Sequence, residues 1–125
     1  MKRFLFIIAI IYSSIHSTAQ TIKLDGSRLE AIQVAMSIEK LMGSEVVKVI
    51  KDSTVKAVDE PTFVKIRGIE FSNGIIEVKV LSRLLKNASE FSRGFIGIAF
   101  RINDNNTKFE CIYLRPTNGR ANDQV

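Results

Sequence analysis

Between Ala31 and Lys40 the chain reads AIQVAMSIEK, with Ile32, Val34, Met36 and Ile38 alternating against Gln33, Ala35, Ser37 and Glu39. A period of two puts one set on each face of a strand. A helix fits less well, because Gln33 and Lys40 fall on its apolar face. The pattern predicts a strand over 31–40. Gly43-Ser44 punctuates the chain, and EVVKVIK over Glu45 to Lys51 predicts a β-branched second strand. TFVKIRG after Pro61 predicts a third. In FSNGII, Asn73-Gly74 lies between apolar runs and tolerates the positive φ of a type I′ turn, so a hairpin is expected there. GIIEVKVL continues as a strand, with Ile76, Val78 and Val80 on one face and Ile75, Glu77 and Lys79 on the other. GFIGIAFRI and KFECIYLR flank NDNNT and predict a last hairpin with a polar loop.

One stretch breaks this rhythm. SRLLKNASEFSRG, Ser82 to Gly94, is long for a connection and holds Leu84, Leu85 and Phe91. It is either a packed Ω-loop of the kind that carries function or a plain crossover between sheets. There is no repeat, low-complexity tract or linker. Short strands at regular spacing with Gly and Asn turns predict an all-β fold, an antiparallel β-sandwich or jelly roll.

The amino terminus has a different pattern. Lys2 and Arg3 precede an unbroken apolar run from Phe4 to Tyr12, and Ser17-Thr18-Ala19 follows as a small-x-small site. This is the plan of a secretory signal peptide over residues 1–19, with cleavage expected after Ala19. The run is too short to span a bilayer of ~30 Å. The product, a single domain over 20–125, is expected to be secreted or periplasmic with no membrane anchor.

Composition after that cut excludes several chemistries. The chain's single His, His16, leaves with the leader, and there is no Trp. Without His, no Ser-His-Asp or Cys-His site can be assembled within the chain. A zinc site built on His is excluded as well, and the single Cys, Cys111, cannot supply the thiolates instead. Cys111 has no internal disulfide partner and is expected to be a small buried hydrophobe. Residues 20–125 hold 16 Lys and Arg against 13 Asp and Glu, a net +3. The basic residues are scattered, and no nucleic-acid partner is expected, since that would need a clustered basic stripe.

Alternation sorts the last two strands into faces. Ile96, Ile98, Phe100 and Ile102 share one face, with Ile112 and Leu114 expected beside them in the core. The other face holds Phe95, Gly97, Ala99 and Arg101 on one strand and Phe109, Cys111, Tyr113 and Arg115 on its partner. Small Gly97 and Ala99 leave room above the sheet. Tyr113 offers a stacking surface, and Arg101 and Arg115 offer bidentate donors. Arg101, Tyr113 and Arg115 are therefore the candidate residues for binding a sugar or a carboxylated glycan. The competing possibility is a solvated face whose arginines pair with Glu77 or Glu110.

At GIIEVKV, GFIGIAFRI and FECIYLRPTNGR the chain resembles secreted bacterial proteins with a concanavalin A-like, laminin-G-like jelly roll, a group related to lectins, family 16 glycoside hydrolases and 3-keto-disaccharide hydrolases. The resemblance runs from about Phe63 to the end. It implies a carbohydrate or glycan as partner. Such proteins continue beyond the position of Val125, so the resemblance implies the amino-terminal half of a domain, with open strand edges able to associate. A family 16 site needs a Glu-x-Asp-x-x-Glu run. None is present, and Glu77 and Glu110 each stand alone. No catalytic residue is assigned. The expectation is a non-catalytic, lectin-like module; the alternative is a fragment of a glycoside hydrolase or keto-disaccharide hydrolase whose carboxylates lie beyond residue 125.

Asp104-Asn105-Asn106 could offer oxygens to calcium, but the loop has few carboxylates for an ion that takes 6–8 ligands, and a plain turn is expected. No cofactor or metal is assigned. Asp59 to Pro61 ends a loop and begins a strand, with no chemistry attached.

Overall fold

The computed structural model describes residues 19–57 and 60–117. Residues 1–18 of the expected signal peptide lie outside them, as does the second half of the corner expected over Pro116 to Gly119. The described chain is all-β apart from one turn of 3-10 helix at Gly26–Arg28. Its strands are β1 (Leu29–Ile32), β2 (Val34–Leu41), β3 (Ser44–Lys51), β4 (Phe63–Ile66), β5 (Ile96–Phe100) and β6 (Glu110–Leu114). They pair antiparallel as three two-stranded ladders, β1 with β4, β2 with β3, and β5 with β6.

The strand expected over 31–40 is two strands. Gln33 sits between them at φ 51°, in the left-handed region that a non-glycine residue seldom enters. That one residue redirects the chain from one partner to another. Before it, Ile32 pairs with Phe63; after it, Val34 pairs with Lys51. The Gln33 carbonyl accepts from the Asp52 N–H at 3.1 Å, so the kink does not strand its own backbone. Alternation continues through the kink in sequence and therefore hides it.

Met42 and Gly43 join β2 to β3. Both have positive φ, 50° and 82°, as a two-residue type I′ loop requires. This is where the chain spends that turn. Asn73-Gly74 does not use it: Gly74 is at φ 143°, and residues 69–95 form no ladder. Ile75 is 95% exposed and Val78 is exposed beside it. The expected strand over GIIEVKVL is thus corrected. The alternating pattern is real, but a strand also needs a partner for its backbone N–H and C=O groups, and none of the described residues supplies one.

The core is small. Leu29, 7% exposed, is the one buried hydrophobe among the described residues. Around it every residue of β4 is half-buried. The β5–β6 hairpin docks here through two contacts. Phe109 meets Phe63 edge-to-face with centroids 5.1 Å apart, and Lys65 Nζ donates to the Asn103 carbonyl at 3.3 Å and to Asn106 Oδ1 at 3.0 Å.

Within that hairpin the register pairs Ile96 with Leu114, Gly97 with Tyr113, Ile98 with Ile112 and Ala99 with Cys111. The two faces sort as alternation predicts. Their burial does not follow. Ile96, Ile98 and Phe100 are half-buried, but Ile112 is 70% exposed and Leu114 59%. These two are corrected from core to surface, because no described layer lies over β6. Cys111, expected to be buried, is exposed for the same reason.

The Ser82–Gly94 stretch has the closed ends of an Ω-loop. Ser82 Oγ donates to the Gly94 carbonyl at 2.6 Å, and internal turns are held by Ala88 N–H to the Leu85 carbonyl and Ser92 N–H to the Ser89 carbonyl. Its apolar residues Leu84, Leu85 and Phe91 are exposed rather than packed.

Candidate functional site

Tyr113 projects from β6 on the face opposite Ile112 and Leu114. Its cross-strand neighbour is Gly97, which has no side chain to cover the sheet. Phe95 enters just before β5 and fills the space beside Tyr113, with ring centroids 5.3 Å apart and planes tilted by 43°. Arg115 folds back over both. Its guanidinium carbon is 4.9 Å from the Phe95 centroid and 5.5 Å from that of Tyr113, within the ~6 Å over which a ring quadrupole attracts a cation. Arg115 Nη2 also donates to the Tyr113 hydroxyl at 3.2 Å.

The cluster is exposed, and Arg115 makes just this one hydrogen bond among the described residues. Its remaining N–H groups lie in the guanidinium plane and are open. A flat guanidinium held on two rings is a positioned fork for a carboxylate or for paired hydroxyls.

Arg101 is elsewhere. It follows β5 at the far end of the hairpin, at φ 52°, and its Nη1 donates to Glu110 Oε1 at 2.9 Å. Along β6, Glu110 and Tyr113 are three residues apart, roughly 10 Å of strand. The structure therefore brings Tyr113 and Arg115 together and leaves Arg101 in an exposed ion pair, of a kind worth ~0–1 kcal/mol. The Glu110 pairing weighed from the sequence holds for Arg101 and not for Arg115. Phe95 is the cluster member that the candidate set lacked. Its position two residues before Gly97, and so on the face that Tyr113 shares, was the available signal.

The Asp104–Asn106 loop is a self-satisfied turn. Asn103 Oδ1 accepts from the Thr107 and Lys108 N–H groups at 2.9 and 3.0 Å, and Asn105 Oδ1 accepts from Thr107 Oγ1 at 2.7 Å. These oxygens are turned into the loop. Among the described residues there is no group of three His, Cys, Asp or Glu that could hold a metal ion.

No protein-family model, curated protein or solved structure matches this chain. No helix among the described residues is long and apolar enough to cross a membrane.

Proposed function

We propose that this protein is a secreted glycan-binding, lectin-like module that holds a carboxylate-bearing sugar at Phe95, Tyr113 and Arg115. The observation that carries the reading is the Arg115 guanidinium lying over two exposed rings with most of its donors open. An aromatic beside an arginine fork suits a ligand with both C–H faces and an acidic group. The concanavalin A-like resemblance, the leader pattern over residues 1–19 and the antiparallel hairpins agree with this reading. Within it, the three ladders are parts of a jelly-roll sandwich, and the chain acts without catalysis.

Isothermal titration with glucuronate- and galacturonate-containing oligosaccharides tests the proposal. Arg115→Ala with Tyr113→Ala should weaken binding at least about tenfold, since a charge-assisted pair is lost. Arg115→Lys should restore little, because an ammonium is not a planar fork. Equal binding by wild type and the double variant overturns the site.

A second reading, association with another chain along the open edge of β6, is favoured by exposed Ile112 and Leu114 on a strand with a single partner. Sedimentation equilibrium decides it: a concentration-independent monomer rules it out.

A further inference from the structure

An open groove of about 670 Å3 lies away from the Arg115 cluster, lined by Gln33, Glu60 and Pro61 from one part of the chain and Asn105, Asn106 and Thr107 from another. Ile32 and Ala57 add apolar surface. The volume is in the range that small-molecule sites occupy, ~300–1,000 Å3.

The orientation of each amide here is forced by its partners, which settles what each leaves free. Gln33 Nε2 donates to Glu60 Oε2 at 3.3 Å and to the Pro61 carbonyl at 3.1 Å, so its nitrogen faces those oxygens and Oε1 is an open acceptor. Asn106 Oδ1 accepts from the Lys65 ammonium, so Nδ2 is an open donor. Asn105 Oδ1 accepts from Thr107, so its Nδ2 is open too. Glu60 Oε1 has no hydrogen-bond partner among the described residues. Among the described residues, the side chains lining the groove thus leave two acceptors without a partner, Gln33 Oε1 and Glu60 Oε1, and two amide donors, Asn105 Nδ2 and Asn106 Nδ2.

A hydroxyl both donates and accepts at one oxygen. Neighbouring hydroxyls on a carbon frame match such a mixed set, with C–H surface against Ile32 and Pro61. A carboxylate or phosphate would meet Glu60, and a metal ion would meet the amide N–H groups. The groove is also held in place. Lys65 ties the Asn106 side to β4, Phe109 packs on Phe63, and Gln33 is fixed by the kink between β1 and β2.

We infer that this groove is a binding site for an uncharged, hydroxyl-rich ligand, a neutral sugar residue or similar polyol. The inference is independent of the acidic-glycan site at Arg115, and its failure leaves that site untouched.

The test is amide chemical-shift mapping on the 15N-labelled protein with a panel of neutral probes (methyl glucoside, methyl mannoside, methyl galactoside and glycerol) and with glucuronate and calcium as charged comparisons. At least one neutral probe should move the amides of Gln33, Glu60 and Asn105 to Thr107. Asn106→Asp keeps the oxygen that Lys65 uses and turns the free donor into an acceptor. Glu60→Gln is the converse change. Both preserve shape and the contacts just described, and each should weaken the neutral probe about tenfold, the scale of one hydrogen bond in such a site. Arg115→Ala should leave it unchanged. The inference is overturned if no neutral probe moves these amides, if both variants bind it as the wild type does, or if calcium alone shifts the groove and Asn106→Asp tightens it.

Discussion

Gly97 lies opposite Tyr113 so closely that a methyl group added at position 97 would sit 2.6 Å from the Tyr113 Cα and closer still to the Ile112 carbonyl oxygen. Both obstacles are backbone, so neither can rotate away. Gly97→Ala should push β5 and β6 apart, at the ~1–3 kcal/mol typical of overpacking, and should also spread Phe95 from Tyr113. Thermal unfolding reads the first effect and tyrosine fluorescence the second. Unchanged values in both would show that the strands are not this close in solution. Ala99→Gly, two pairs along and on the same face, serves as the control for lost side-chain packing alone.

The β2–β3 turn makes a prediction of opposite sign. Met42 is 98% exposed and held at φ 50°, while its neighbour Gly43 is at 82°. An L-residue with an ordinary side chain costs roughly 1 kcal/mol in the left-handed region, and Asn less. Met42→Asn should therefore stabilise the protein by about 0.5–1 kcal/mol, making the favoured Asn-Gly pair of a type I′ loop. Gly43→Ala should destabilise it by a similar amount. Denaturant midpoints compare the three proteins, and a lower midpoint for Met42→Asn would contradict the turn geometry.

Three exposed acids should give the protein an acid limb. Asp25 is held below its ordinary value of 3.8 mainly by the Ser27 N–H, and Asp52 likewise by the Thr54 N–H. Glu39 is held below 4.5 mainly by the Lys48 ammonium, 3.0 Å away. A carboxylate whose pKa is depressed by folding contributes stability that is complete above its unfolded value. That contribution is lost as pH falls through the folded value. Melting temperature should hold down to about pH 5 and then decline. The variant carrying Asp25→Asn, Glu39→Gln and Asp52→Asn should decline less steeply, and the Glu39 share should shrink in salt. Stability that rises on acidification across this range would refute the assignment.

The strands of the two hairpins were legible because alternation, a glycine turn and a polar loop each left a local mark. Their faces were legible too, but the register that sets Gly97 against Tyr113 was not. Burial was not. Ile112, Leu114 and Cys111 have the identities of core residues, but whether a face is covered depends on distant chain that local pattern does not report. The break at Gln33 left no mark, since a single left-handed residue keeps the alternation of its neighbours in register. The Tyr113 and Arg115 part of the candidate site followed from strand parity alone. Arg101 shares that parity but lies at the other end of the ladder, and Phe95 shares it too, two residues before Gly97. The groove at Gln33 and Glu60 had no signature, because its residues meet only after the β1–β4 and β5–β6 pairs have formed.

The kink at Gln33 has a consequence for the order in which the fold assembles. The β2–β3 contacts join residues 3 to 17 apart in sequence, all inside the span that β1 and β4 close with contacts 31 to 37 apart. A hairpin with a tight loop forms in ~1–10 μs, and once formed it shortens the free chain that the outer pair must close. Pulse-labelled hydrogen exchange should find the amides of Val34 to Lys51 protected before those of Leu29 and Ile66; the reverse order would exclude nested closure. Gln33 then stands at the junction of an early event and a late one, and substitutions on its two sides should act on different steps of folding, speeding or slowing the inner hairpin on one and the outer closure on the other.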